Sequence, residues 1–281
     1  MADHPALELQ FLDAPGSDAL RERLYALLDD FEPTAIHEDE AAHAWRVFFH
    51  ARDSRDAAAH VVSATIAPHV LRTSPIDVPD EDWARRSQQD LKSIQVDGLI
   101  VAPPWDVPRA GVPVVVIEPS TGFGTGHHPT TRLCLRAVEA CVAPGMRVLD
   151  VGAGSGILAI AAARLGAISV DAVEIDPVAA GVCKENVERN GVADVVHVTS
   201  GALTSERREP YDLILANITI ATLLQLHPLL ADHLKPNGTA VLSGVLAERA
   251  DELLSALRAA GWRHERTEQE QDWVAIFVRR A

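Results

Sequence analysis

The chain has 281 residues, 47% of them hydrophobic, and a formal net charge of −15. That length holds one large domain and a smaller one, and the acidity argues against a polyanionic nucleic acid as the main partner while permitting a basic one. No apolar run approaches the ~20 residues that span a bilayer. The N-terminus, Met-Ala-Asp-His-Pro, lacks the positive segment and apolar core of a signal peptide, and Cys134, Cys141 and Cys183 show no metal-ligand spacing; a cytoplasmic protein is expected.

Residues 1–75 read as a small α+β unit. Leu7 to Leu12 alternates like a strand, and Leu20, Leu24, Leu27 and Leu28 recur at helical spacing behind Ser17, a candidate N-cap. Thr34 to Glu38 and Ala44 to His50 look like short strands, Ser54 to Ile66 like a second helix, and His69 to Thr73 like a last strand. The order β-α-β-β-α-β is the ferredoxin-like pattern. No catalytic cluster falls within it, so a recognition role is expected.

Residues 76–118 read as a linker. Pro75 at its border and Pro79, Pro103, Pro104, Pro108 and Pro113 within it act as breakers, with a helix expected over 81–91 and strands over 94–101 and 112–118. The segment from Glu118 to Thr131 then carries three glycines, two prolines and several hydroxyls ahead of a helix from about Thr130 to Ala140. A helix start so furnished suits a carboxylate or polar ligand, and the segment is expected to close over a site. His127 and His128 are adjacent, a poor arrangement for chelating one ion, and no metal is expected.

Val148-Leu-Asp-Val-Gly-Ala-Gly-Ser-Gly-Ile-Leu-Ala-Ile160 reads as a buried strand, a glycine turn and the start of a helix. This is a ligand-binding corner of a doubly wound α/β sheet. The spacing is G-x-G-x-G rather than the dinucleotide G-x-G-x-x-G. The next strand, Val170 to Ile175, carries Glu174 near its carboxyl end, where an acidic side chain accepts from ribose hydroxyls. A nucleoside cofactor follows, either a nicotinamide dinucleotide or S-adenosylmethionine; the spacing and a C-terminal strand pair favour the second.

Asp176-Pro177 opens a helix ended by Gly191. Val195 to Thr199 and Tyr211 to Ala216 are strands, and the second ends at Asn217, at a crevice position or as the cap of the next helix. Ile220 to Leu234 is helical, interrupted by Pro228. A strand from Thr239 to Ser243, a helix from Glu248 to Ala260, and strands Arg263 to Thr267 and Trp273 to Arg279 complete a mostly parallel sheet with an antiparallel edge.

Phe123-Gly-Thr-Gly-His-His-Pro-Thr-Thr131, Leu149-Asp-Val-Gly-Ala-Gly-Ser-Gly-Ile-Leu-Ala-Ile160 and Leu215-Ala-Asn-Ile218 together resemble the PrmA family, S-adenosylmethionine-dependent methyltransferases of large-subunit ribosomal protein eleven. The resemblance is strongest from about residue 80 to the end, and the first of the three motifs is its most specific. It implies a seven-stranded Rossmann-like methyltransferase sheet over 119–281 and a small ferredoxin-like domain that holds the ribosomal protein. It also implies cofactor-binding positions at Thr131, Gly152, Glu174 and Asn217. Two departures stand out: Glu174 replaces the usual Asp with a longer reach, and His127 replaces Thr in the segment that faces the acceptor.

The implied reaction moves a methyl group from S-adenosylmethionine to lysine side-chain or N-terminal amines, in a monomer that contacts neither nucleic acid nor membrane. A lysine of another protein or a small molecule is the alternative acceptor. No strong general base stands at the expected positions. A partly apolar pocket would lower the amine pKa from roughly 10.4. Asn217 is then the candidate catalytic residue, its carbonyl oxygen accepting an amine hydrogen; a contact with the cofactor alone is the other role left open.

Overall fold

The computed structural model describes residues 4–12, 18–39, 43–66, 71–78, 91–118, 126–205 and 209–280. They fall into two compact units, one drawn from Met1–Asp90 and the other from Leu91–Ser120 and Gly124–Ala281. The helix expected over 81–91 and the loop residues 119–125 lie, apart from Leu91, outside the described residues.

The first unit runs β1 (His4–Phe11), α1 (Asp18–Asp29), β2 (Ala35–Asp39), β3 (Ala44–Phe48), α2 (Arg52–Thr65) and β4 (Leu71–Val78), with sheet order β2-β3-β1-β4. Leu7, Leu9, Trp45 and Val47 lie on the sheet face that packs against Leu24, Leu28, Ala58 and Val62 of the helices. The opposite face presents the cross-strand row His37, Arg46, Glu8 and Ser74. β4 runs through Pro75, which an edge strand tolerates because the missing N–H need not serve the ladder.

The second unit opens with β5 (Ile94–Val96), β6 (Leu99–Ala102) and β7 (Val114–Val116). The single strand expected over 94–101 is two, because Asp97-Gly98 makes a hairpin turn in which Asp97 takes φ 46°. This three-stranded sheet belongs to the same compact unit as the main sheet.

The main body follows as α3 (Pro129–Cys141), β8 (Arg147–Val151), α4 (Ile157–Arg164), β9 (Ser169–Glu174), α5 (Pro177–Arg189), β10 (Val196–Ser200), β11 (Tyr211–Asn217), α6 (Ile220–His233), β12 (Leu234–Leu246), α7 (Ala250–Ala259), β13 (Trp262–Glu270) and β14 (Trp273–Arg280). The sheet order is β10-β9-β8-β11-β12-β14-β13, parallel except where β14 pairs with β12 and β13. Helix α4 is apolar on nearly every side, Ile157 to Ala162 all being buried. Such a helix needs cover on more than one face; it packs against β8 and β9 of the main sheet and against β7. Helix α6 continues through Pro228 rather than ending there, at the loss of one backbone bond. Strand order reverses between β8 and β11, and their carboxyl ends flank the crevice where doubly wound sheets bind ligands.

Candidate functional site

β8 delivers Asp150 and Val151 to that crevice and then turns sharply. Gly152, Gly154 and Gly156 take φ of 72°, 52° and 81°, values that strain a residue bearing a Cβ. Space is short as well: a Cβ on Gly152 would lie 2.3 Å from Ile218 Cγ2, and one on Gly156 2.6 Å from Cys183 Sγ. The turn is thereby pressed between the β11–α6 junction and α5. Backbone bonds hold its start, since Gly152 N–H and Ala153 N–H both donate to Val173 O, at 2.8 and 3.1 Å.

Glu174 ends the neighbouring strand β9. Gly154 N–H donates to its Oε2 at 2.8 Å and Asp176 N–H to its Oε1 at 3.0 Å. The carboxylate is therefore oriented before any ligand arrives, and each oxygen retains acceptor capacity. Beside it Ile175 and Val178 are 73% and 71% exposed. An ordered carboxylate next to bare aliphatic surface is the mixture a nucleoside needs, polar at the sugar and apolar under the base.

Asp150 lies beneath the turn. Its Oδ2 accepts from Ala159 N–H at 3.1 Å, while Oδ1 is buried without a hydrogen-bond partner. Burial pushes this carboxyl up to about 7; the Ala159 N–H pulls it down and the Glu174 charge adds to the rise. A buried acceptor without a partner costs folding energy, which a donor group reaching it would relieve.

Asn217 ends β11 directly beside Ser243 of β12. Ile218 N–H donates to Ser243 O at 3.2 Å. Gly244 has φ 83°, and a Cβ there would stand 2.3 Å from the Ile218 carbonyl oxygen. Ile218, the residue after Asn217, is so wedged between Gly152 on one strand and Gly244 on the other. The cap of α6 is Thr219, whose Oγ1 accepts from Thr222 N–H at 3.3 Å, so Asn217 is not used as that cap.

Thr131 is buried in the first turn of α3, its N–H donating to His128 O at 3.0 Å. His128 is the N-cap: Nδ1 accepts from Thr130 N–H at 3.3 Å, and the ring meets Trp273 edge-on at 5.0 Å. Burial drives His128 down to about 4, reinforced by the Arg132 charge and opposed by Glu270, so the ring is neutral and free to accept. Arg132 and Arg136 both pair with Glu270, tying α3 to the β13–β14 hairpin. Helix α3 packs against β11, β12 and β14, and His128 at its start meets Trp273, which pairs with Leu246 at the carboxyl end of β12.

The sequence-predicted residues thus gather at one end of the sheet: Gly152, Glu174 and Asn217 at the carboxyl ends of β8, β9 and β11, with Thr131 alongside. His127 is exposed, its carbonyl accepting from Arg132. Among the described residues no three His, Cys, Asp or Glu side chains are grouped to hold a metal. Sequence reasoning passed over Asp150 and Gly244. Each left a signal, an acid inside an otherwise apolar strand and a lone glycine inside another, which marks close backbone approach.

A family profile described as "Ribosomal protein L11 methyltransferase (PrmA)" matches residues 16–281. A protein named ribosomal protein L11 methyltransferase from Brucella suis is 36% identical over 283 residues, covering 96% of this chain and 98% of the relative. One of the same name from an Exiguobacterium species is 39% identical over 207 residues, 73% of this chain and 66% of the relative. The crystal structure of ribosomal protein L11 methylase from Lactobacillus delbrueckii subsp. bulgaricus superposes with a TM-score of 0.62 at 31% identity, covering 68% of this chain and 99% of that one. The chain belongs to the PrmA family of ribosomal protein L11 methyltransferases.

Proposed function

We propose that the protein transfers methyl groups from S-adenosylmethionine to lysine side-chain or N-terminal amines of ribosomal protein L11. The observation that carries this reading is one crevice holding a buried acceptor without a partner, an oriented carboxylate and a glycine turn, with Asn217 at the neighbouring strand end. When bound, the cofactor supplies a methyl group already activated on a sulfonium.

The chain's own residues then have three tasks. Asp150, Glu174 and the turn from Gly152 hold the donor; Thr131 and Asn217 close the same end of the sheet. The apolar surroundings disfavour a charged amine and so favour the nucleophilic form. Asn217, at the end of β11 beside Ser243 and followed by the confined Ile218, accepts a hydrogen from the incoming amine and aims its lone pair. Catalysis rests on alignment and exclusion of water rather than on a strong base.

The first unit presents the substrate. It is compact without the second, its open sheet face carries a polar row, and the overall charge of −15 suits a basic ribosomal protein. We read the protein as a cytoplasmic monomer that makes no nucleic-acid contact of its own; no helix among the described residues is long and apolar enough to cross a membrane. Incubation with tritiated S-adenosylmethionine and purified L11 is expected to label the protein on amines. A chain beginning at Pro79 is expected to bind the cofactor but to lose most labelling of intact L11. No transfer to L11 by the full chain overturns the substrate reading; full-rate transfer by the shortened chain overturns the division of labour.

A further inference from the structure

Helix α5 carries Asn186 and Asn190 one turn apart, 0% and 4% exposed. Buried carboxamides must find partners, and these two find them on different segments. Asn190 closes on both backbone groups of Val116 in β7: Oδ1 accepts from Val116 N–H at 2.9 Å and Nδ2 donates to Val116 O at 2.6 Å. Asn186 Oδ1 accepts from Glu118 N–H at 2.9 Å, while its Nδ2 donates to Ser155 O at 3.0 Å.

The spacing has a simple origin. Four residues of helix rise about 6 Å, close to the roughly 6.6 Å of two strand residues. β7 bonds to β6 through alternate residues, as in Ile117 N–H to Ala102 O, so Val116 and Glu118 turn their amides toward α5. Helix α5 stands in for a missing strand at that edge. Asn190 serves that edge and its own helix, its Nδ2 also donating to Asn186 O at 2.8 Å. Asn186 does more, because Ser155 sits between Gly154 and Gly156 in the turn, while Glu118 leads into the segment ahead of α3. Arg189 completes the joint, donating to Asn186 Oδ1 at 2.8 Å and pairing with Glu118 at 3.1 Å.

We propose that Asn186 is a positioning residue for methyl-donor binding, holding the glycine turn in register with the Glu118 segment. A turn built on three glycines of positive φ has few side chains to stiffen it. Its amides are fixed by Val173 O and by Glu174, and the Ser155 carbonyl is fixed by Asn186. Without that last bond the turn gains freedom that a ligand must remove on binding. The inference rests on the donor reading proposed above.

The test compares full-length Asn186→Asp and Asn190→Asp. The first keeps the Oδ1 acceptor but sets an oxygen against Ser155 O; the second makes the same chemical change at Val116. Asn186→Asp is expected to raise the calorimetric Kd of S-adenosylhomocysteine about tenfold, for one lost hydrogen bond plus repulsion. Its kcat at saturating donor is expected to stay within about twofold of the unaltered protein, since the bond acts on binding rather than on the reacting atoms. Asn190→Asp is expected to lower Tm while leaving that Kd within about twofold, because its bonds end at β7 and within α5, none of them on the glycine turn. Unchanged affinity in Asn186→Asp, or affinity lost in both variants in step with Tm, overturns the proposal. Should Asn186→Asp fail to fold, amide exchange of the unaltered protein decides: S-adenosylhomocysteine is expected to slow exchange in peptides covering 114–118 and 152–157 together. Protection confined to 152–157 overturns it. Failure of the donor reading looks different, since the unaltered protein would then bind no S-adenosylhomocysteine.

Discussion

Glu174→Gln separates ligand binding from fold maintenance. The two carboxylate oxygens accept from Gly154 N–H at 2.8 Å and Asp176 N–H at 3.0 Å. A glutamine of the same shape has one oxygen and one NH2, so either orientation sets a donor against a donor. The fold should lose one bond to a charged group and strand a buried N–H, about 1.5–3 kcal/mol. For a unit of this size that is a fall in Tm of roughly 3–12 °C. Ligand binding should suffer separately. If the carboxylate also accepts from ribose hydroxyls, each lost charge-assisted bond is again worth about 1.5–3 kcal/mol, which is a rise in Kd of roughly ten- to 150-fold. The assay is titration calorimetry with S-adenosylhomocysteine at a temperature well below both melting points, so that the folded fraction is complete in each protein. A lower Tm with unchanged Kd would refute the reasoning and leave Glu174 as a brace for the turn alone.

Two further outcomes follow from the crevice. Asn217→Ala should lower the single-turnover rate at saturating donor more than it weakens donor binding; a rate equal to that of the unaltered protein removes Asn217 from the chemistry. Asp150, raised to about 7 by burial, binds a proton in the fold that the unfolded chain, with an ordinary aspartate near 3.8, has already lost. Its contribution to stability is therefore a cost that grows as pH rises from about 4 to about 7. A cationic amine at Oδ1 should ionise it, so donor binding near pH 6 should release a proton and tighten with rising pH; calorimetry in two buffers of different ionisation heat checks this. Binding heats independent of buffer would show that Asp150 does not meet the donor's amine.

Much of the site was legible in the sequence because its parts are local. Three glycines in five residues announce a turn with positive φ, and Asp176-Pro177 announces a helix start; the structure places both as expected, Asp176 Oδ1 accepting from Val178 N–H at 2.8 Å. Strand ends were legible too, since Glu174 and Asn217 are polar residues closing apolar runs. Pro75 and Pro228 misled as breakers, because an edge strand need not spend that N–H on the ladder and a packed helix absorbs one lost backbone bond.

Tertiary structure alone decided what the isolated residues could not show. That Asp150 keeps a carboxylate oxygen without a partner depends on its burial under α4, not on its neighbours in the chain. That Gly244 presses on Ile218 depends on β12 lying beside β11, 26 residues apart in sequence and adjacent only in register. The docking of 91–118 has the same origin: its composition reads as a Pro-broken connector. Yet the all-apolar helix α4 needs a second cover, and the two asparagines of α5 need strand amides to bond. Short-range signals set the turn, the caps and the strand ends; long-range pairing set which of those ends met.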